Sequence, residues 1–230
     1  MEYQDVQNMA KETMAYIKTA VKPGMNLLDV RRLCEEKMLS LGADSFWYWD
    51  VGAFVFSGDE TSVSVSGREY ITSDRLIGFN DNIITIDLSP QKNKIWGDYA
   101  RTVIIEDGAA VDCIDKIQND EWRDGLLMEE RLHRALIDFA TPQTTFEEVY
   151  QHINRLINDN GFVNLDFLGN LGHSIARNKD ERVYIEKNNR LLLSAVDFFT
   201  FEPHISIPNS KYGYKKENIY HFSGGKLVEL

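Results

Sequence analysis

Five side chains able to ligate a metal, Asp87, Asp98, His173, Glu202 and Glu217, stand at the ends of apolar, strand-like runs rather than in polar loops. Asp87 closes the run that begins at Asn82, Asp98 follows Ile95-Trp96-Gly97, Glu202 closes the run from Phe198, and Glu217 precedes Asn218-Ile219-Tyr220. An ionised carboxylate is costly to bury without a partner, so acids gathered in an apolar setting tend to share a cation. Oxygen donors with a single imidazole suit Mn, Fe, Co or Zn better than a thiolate-loving metal. Taken singly, each acid also reads as a turn or cap residue, as in Asp87-Leu88-Ser89-Pro90.

That single-residue reading weakens because the chain repeats itself. A shift of 119 positions carries Pro23–Val30 onto Pro142–Val149 without a gap, and Gly42 onto Gly161. In each copy a capping residue, Asn26 or Thr145, is followed three positions later by an acid, Asp29 or Glu148, a pattern that satisfies the free amides of a first helical turn. Val30, Cys34 and Met38 then match Val149, Ile153 and Ile157, each an apolar stripe at helical spacing. The same shift carries Asp98 onto Glu217 and brings Asp87 within a few residues of Glu202. Two half-domains, about 1–118 and 119–230, would each bring a pair of carboxylates to one shared site.

The elements needed to position such a site are legible in outline. Helices are expected near 3–20, 27–40, 118–140 and 145–159, and strands near 46–57, 62–66, 82–88, 95–105, 191–201, 215–222 and 226–229. Regular βαβ alternation is missing, and the short connection at Ser89–Asn93 requires antiparallel pairing. An α+β fold follows, with helices backing a curved antiparallel sheet. The cluster Phe46-Trp47-Tyr48-Trp49 reads as a buried strand or a pocket wall.

With 230 residues and no Pro/Gly/Ser-rich linker, a single domain over 1–230 is expected. A formal net charge of −11 argues against nucleic acid and against an anionic membrane surface. No stretch approaches ~20 apolar residues, and residues 1–20 lack the apolar core of a signal peptide. Cys34 and Cys113 are too few for a disulfide framework, which makes a reducing cytoplasm the simplest setting. A homodimer is plausible, although no single residue requires one.

The ordered set of ligands resembles the creatinase/methionine aminopeptidase family, the pita-bread, M24-type metallohydrolases that include aminopeptidase P and prolidase. Asp87-Leu88-Ser89 with Gly97-Asp98-Tyr99-Ala100-Arg101-Thr102 is similar to that family's paired-aspartate signature, and Gly172-His173 to its Gly-His element. Phe201-Glu202-Pro203 resembles its Glu-Pro strand, Lys216-Glu217-Asn218 its Glu-Asp ending, and Lys22-Pro23-Gly24-Met25 its helical phrase. The interval of 29 residues from His173 to Glu202 is nearer the proline-peptidase branch, without the extra N-terminal domain of prolidase-type members.

The resemblance implies two divalent metal ions per chain. Asp87 would bind one bidentately, Asp98 and Glu217 would bridge both, and His173 and Glu202 would complete the other shell. Glu202 would take a proton from the bridging water, and Arg101 would donate to a ligand carboxylate. The implied activity is hydrolysis of an amide C–N bond in a small peptide-like substrate, as in Xaa-Pro aminopeptidases and dipeptidases.

Departures from the family pattern leave two alternatives open. No histidine precedes His133; the family's substrate-handling histidine would fall near Val65 or Tyr70, and Asp180 stands seven residues after His173 where another is expected. His204, two residues beyond Glu202, is a candidate substitute, on the same face if 198–205 is a strand. Arg177, Asp180, Arg182 and Tyr184 are either a solvated loop or a pocket wall for a substrate carboxylate. The alternatives are a non-peptidase metal enzyme of small-molecule metabolism and a non-catalytic binding protein. Ser174 lacks the second glycine of a nucleophile elbow, and no phosphate loop, Cys-x-x-Cys or His-Glu-x-x-His motif is present.

Overall fold

The computed structural model describes residues 2–78 and 80–230. Helices α1 (Glu2–Ala20) and α2 (Leu27–Ser40) lead into strands β1 (Ser45–Phe46), β2 (Ala53–Ser57), β3 (Asn82–Leu88), β4 (Pro90–Lys92), β5 (Ile95–Trp96), β6 (Tyr99–Glu106) and β7 (Ala109–Ala110). Helices α3 (Asp120–Phe139) and α4 (Phe146–Asp159) then lead into β8 (Val163–Asn164), β9 (Phe199–Phe201), β10 (His204–Ser206), β11 (Tyr214–Lys215), β12 (Asn218–Ser223) and β13 (Lys226–Glu229).

Helices α2 and α4 have bounds that a shift of 119 positions superposes, and both begin as their caps dictate. Asn26 accepts from the Asp29 amide, and Thr145 forms a reciprocal box with Glu148. Val30, Cys34 and Met38 on one helix, and Val149, Ile153 and Ile157 on the other, are all 0% exposed, so each stripe is a packing face.

All strand pairs are antiparallel. β2, β3, β6 and β7 form one sheet, while β13, β12 and β9 form its counterpart in the second half. Alternation along β3 sorts its side chains. Ile84, Ile86 and Leu88 join the core beneath α1 and α2; Thr85 and Asp87 face a cavity on the opposite side. A second core gathers Leu132, Phe146, Phe199, Phe201 and Tyr220 beneath α3 and α4.

The two sheets meet along the first residues of β6. β7 pairs only with Ile105 and Glu106, which leaves the start of β6 open on that edge. The second half fills it: Glu217 N donates to Ala100 O at 2.9 Å, Arg101 bridges Lys216, and Lys215 N donates to Thr102 Oγ1 at 2.8 Å. This seam carries Glu217 to Asp98.

Three strand expectations fail. Residues 46–57 hold only β1 and β2, because Trp49 and Asp50 take positive φ of 59° and 58° and turn the chain between them. Residues 62–66 follow a short 3₁₀ turn at Gly58–Ser62 and form no strand. The run 191–201 is strand only at Phe199–Phe201, with a 3₁₀ turn at Leu193–Ala195. Pro203, which has no N–H to donate, separates β9 from β10, so 198–205 is not one strand. No described helix is long and apolar enough to cross a membrane.

Candidate metal centre

The fold brings all five expected ligands together. Ligand atoms of Asp87, Asp98 and Glu217 lie within 4.8 Å of one another. His173 Nε2 lies 3.6 Å from Asp98 Oδ2 and 3.8 Å from Glu202 Oε1. Each main-chain segment is clamped. Gln7 on α1 donates to Asp98 O at 2.8 Å and accepts from Asp98 N at 2.9 Å, and Arg101 Nη1 donates to Glu217 O at 2.7 Å. Thr200 Oγ1 accepts from His173 N at 3.0 Å and donates to Glu202 Oε1 at 3.3 Å. Gly172, at φ +140°, permits this approach, since a Cβ there would stand 2.3 Å from Thr200 O.

Several buried acceptors face one another without donors. Asp98 Oδ2 and both Glu217 carboxylate oxygens have no hydrogen-bond partner among the described residues. Burial raises the pKa of both groups well above the usual carboxylate range, and neighbouring carboxylates add to the effect. His173 Nδ1 lies 3.0 Å from Ser174 O, so it carries the proton and leaves the Nε2 lone pair directed at Asp98 and Glu202. Burial lowers the His173 pKa to about 4, which makes the neutral imidazole the form present at neutral pH. A lone pair aimed at two ionised carboxylates is repulsive, and either a cation between them or a proton on one of them relieves it. Two overlapping sets, Asp87 with Asp98 and Glu217, and His173 with Asp98 and Glu202, therefore suit divalent cations by donor chemistry.

Lys215 enters the same cluster, a residue that ligand spacing alone does not single out. Its Nζ lies 2.6 Å from Asp87 Oδ2, 2.9 Å from Glu202 Oε2 and 3.8 Å from Glu217 Oε2. Burial works against the ammonium, yet Asp87, Glu202 and Glu217 together raise its pKa. Burial likewise opposes charge on Glu202, but the Lys215 ammonium at 2.9 Å holds its carboxyl below the ordinary value. The available signal was position: Lys215 stands two residues before Glu217, hence on the same face of an extended chain.

Above the carboxylates opens a cavity of about 200 Å³. Of the aromatic cluster, Phe46 ends strand β1 while Trp47 and Tyr48 line the cavity; Trp47 stacks on Trp96 at 4.4 Å and donates from Nε1 to Gly97 O at 3.1 Å. Arg182 and Tyr184 line the same cavity, whereas Arg177 and Asp180 do not. The Arg182 guanidinium lies 5.5 Å from the Trp47 ring, 5.4 Å from Tyr48 and 5.3 Å from Tyr184. Its Nε donates to Lys179 O at 2.9 Å, and among the described residues its terminal nitrogens make no hydrogen bond. Val65 also lines the cavity, while Tyr70 is turned away, its hydroxyl bonded to Val55 N at 2.7 Å.

Two catalytic expectations are revised. Arg101 does not donate to a ligand carboxylate: it donates to the backbone carbonyls of Ala100 and Glu217 and to Asn218 Oδ1, and its ring neighbour is Tyr99 at 3.8 Å. Strand alternation explains this, because Thr102 points toward Lys215 and Arg101 must take the other face of β6. His204 does line the cavity with Glu202, yet its Nε2 donates to Thr61 O at 2.7 Å. Burial lowers its pKa to about 4.

The fold has solved relatives. The X-Pro aminopeptidase of Thermotoga maritima is 18% identical with a TM-score of 0.79, covering 98% of this chain and 58% of its own. Prolidase from Pyrococcus furiosus is 19% identical with a TM-score of 0.79, covering 98% and 61%. The methionine aminopeptidase of Thermotoga maritima is 14% identical with a TM-score of 0.75, covering 99% and 93%. This chain thus spans well under two thirds of the first two relatives, and at these identities the likeness establishes the fold alone. No curated protein matches the sequence significantly. The family model of M24 metallopeptidases matches residues 2–223, nearly the whole chain, and the chain belongs to metallopeptidase family M24.

Proposed function

We propose that the chain is a dinuclear metal-dependent hydrolase that cleaves the amide C–N bond of a small peptide-like substrate, in the manner of Xaa-Pro dipeptidases and aminopeptidases. One observation carries the reading: Asp98 Oδ2 and both Glu217 oxygens are buried without donors beside the lone pair of His173. When bound, two divalent cations would lower the pKa of a water toward neutrality and polarise the scissile carbonyl. Asp87, Asp98, His173, Glu202 and Glu217 would hold them. Glu202, kept ionised by Lys215, accepts the proton of the attacking water and returns it to the leaving amine. Lys215 fixes Asp87 and Glu202 relative to each other.

Substrate orientation falls to Arg182. Its unengaged terminal nitrogens suit a bidentate contact with a free carboxylate, while the rings around it exclude water. Replacing it in Arg182→Gln is expected to raise KM about tenfold for a dipeptide with a free carboxylate, with kcat little changed. The corresponding dipeptide amide should show no such effect.

The reading is tested by metal content and turnover together. Protein loaded with Mn or Co should hold two equivalents per chain and hydrolyse an Xaa-Pro dipeptide. Two bound equivalents without cleavage of any dipeptide would favour a second reading, a non-peptidase metal enzyme. Val65 on the cavity wall and the engagement of His204 with Thr61 support that reading, since the cavity then lacks an uncommitted imidazole for peptide handling. Absence of metal binding would exclude both.

A further inference from the structure

The wall of the cavity above the metal ligands carries one further acid, Asp166, which belongs to neither ligand set. It is half-buried at the start of the turn that follows β8. One oxygen is committed: Oδ1 accepts from Phe167 N at 2.6 Å and from Ser64 Oγ at 3.1 Å. Oδ2 accepts no hydrogen bond among the described residues, and unlike the sealed oxygens of Asp98 and Glu217 it is open to water.

The surrounding turn holds this carboxylate in place. Asn164 Oδ1 accepts from Asp166 N at 2.9 Å, and Asn164 Nδ2 donates to Gly169 O at 3.0 Å. Asn154 donates to the same carbonyl at 2.9 Å, and Tyr150 donates to Leu168 O at 3.1 Å. Leu165 N donates to His204 O at 2.7 Å, which fixes the turn to β10, two residues beyond Glu202. The catalytic groups act on Asp166 electrostatically: burial and then Glu202 raise its pKa, while Lys215 lowers it. No basic side chain pairs with Asp166 among the described residues, since Lys215 is held by Asp87 and Glu202. A lone carboxylate oxygen is a poor site for a divalent ion, which takes several donors, and a good acceptor for an ammonium.

One cavity thus carries an open acidic oxygen on Asp166 and unengaged guanidinium nitrogens on Arg182. We propose that Asp166 receives the α-ammonium of the substrate while Arg182 takes its carboxylate, so that the cavity recognises both ends of a zwitterionic dipeptide. The identity of that ligand rests on the hydrolase reading; the two contacts themselves need neither metal nor turnover. Asp166 is then a specificity determinant that discriminates against peptide-like molecules without a free amino group.

Calorimetric titration of the full, metal-free chain tests this with two ligands of the same size. One is alanylproline; the other is lactylproline, in which a hydroxyl replaces the ammonium. The wild type should bind alanylproline about tenfold more tightly. Asp166→Asn should weaken alanylproline about tenfold and leave lactylproline unchanged. Because asparagine keeps Oδ1 for Ser64 and the Phe167 amide, the variant should melt within about 2 °C of the wild type. The comparison of ligands on the wild type stands even if that variant fails to fold. Equal wild-type affinities for the two ligands would overturn the proposal, as would a loss in Asp166→Asn that is the same for both. So would absence of saturable alanylproline binding up to about 10 mM, ten times a millimolar Kd. Discrimination by the metal-free chain, with no dipeptide cleaved after Mn loading, would remove the hydrolase reading and leave this recognition standing. Cleavage without discrimination would do the reverse.

Discussion

Asp98 and Glu217, which the repeat superposes, behave differently from Asp87 and Glu202, which it does not. The first pair is 3% and 1% exposed, its main chain clamped by Gln7 and Arg101 and its carboxylates left with oxygens that lack donors. The second pair is more open, with side chains 19% and 14% exposed, and shares one lysine. The duplicated scaffold thus builds the symmetrical acceptors, whose charge a cation or a bound proton would relieve. The unsymmetrical pair is where the chain adds its own partner, Lys215, and tunes the site.

The contrast is broken most directly by removing the symmetrical pair. Asp98→Ala with Glu217→Ala should abolish both metal equivalents and lower kcat by roughly a thousandfold or more, about 4 kcal/mol of barrier. Metal analysis beside peptide turnover checks it; retained metal would show that the two acids are not shared ligands. The unsymmetrical pair should respond differently. Lys215→Met leaves Asp87 and Glu202 facing each other, so the metal-free protein should lose about 3 kcal/mol of stability in denaturant unfolding. Added Mn should recover most of that loss, since bound metal supplies the missing positive charge. A variant as stable as the wild type in chelator would mean that the ammonium is a bystander.

A pH comparison sharpens the difference. The folded-state pKa values of Asp98 and Glu217 are raised, so these groups cost nothing while protonated, and stability falls as pH rises above the unfolded value near ~4 toward the folded one. Lys215 has the opposite bearing: its pKa is raised, so its contribution persists through neutrality and disappears only in strong alkali. In chelator, the melting temperature of Asp98→Asn should therefore exceed that of the wild type by more at pH 8 than at pH 5. Equal differences at both pH values would remove the buried acid as their cause. The smallest effect concerns the scaffold. Asn26→Ala and Thr145→Ala should each cost about 1 kcal/mol, similar in the two halves because each side chain accepts from the amide three residues on. A large inequality would mean that one helix draws its stability from elsewhere.

Much of this architecture was readable from residues in order. The caps and stripes of α2 and α4 fixed both helices to within a residue, because local hydrogen bonding and a 3.6-residue period act over a few positions. The five ligands also converge: the repeat paired Asp98 with Glu217 and brought Asp87 near Glu202, and the Gly172-His173 resemblance supplied the fifth. Strands were less secure. The aromatic run at Phe46–Trp49 has strong β propensity, yet the strand ends at Phe46: left-handed Trp49 and Asp50 turn the chain, and Trp47, packed on Trp96 and His173, lines the cavity with Tyr48.

The sequence by itself determined the helices, the ordered ligand set and the family resemblance, because each rests on neighbours in the chain or on a fixed interval. Only tertiary structure decided which groups are satisfied. Gln7 reaches Asp98 across 91 positions and Lys215 reaches Asp87 across 128, contacts that no local pattern encodes. Arg101 turns away from the metal ligands for the same kind of reason: the open edge of β6 is filled by a strand from the other half, and the side chain must take the face that this junction leaves.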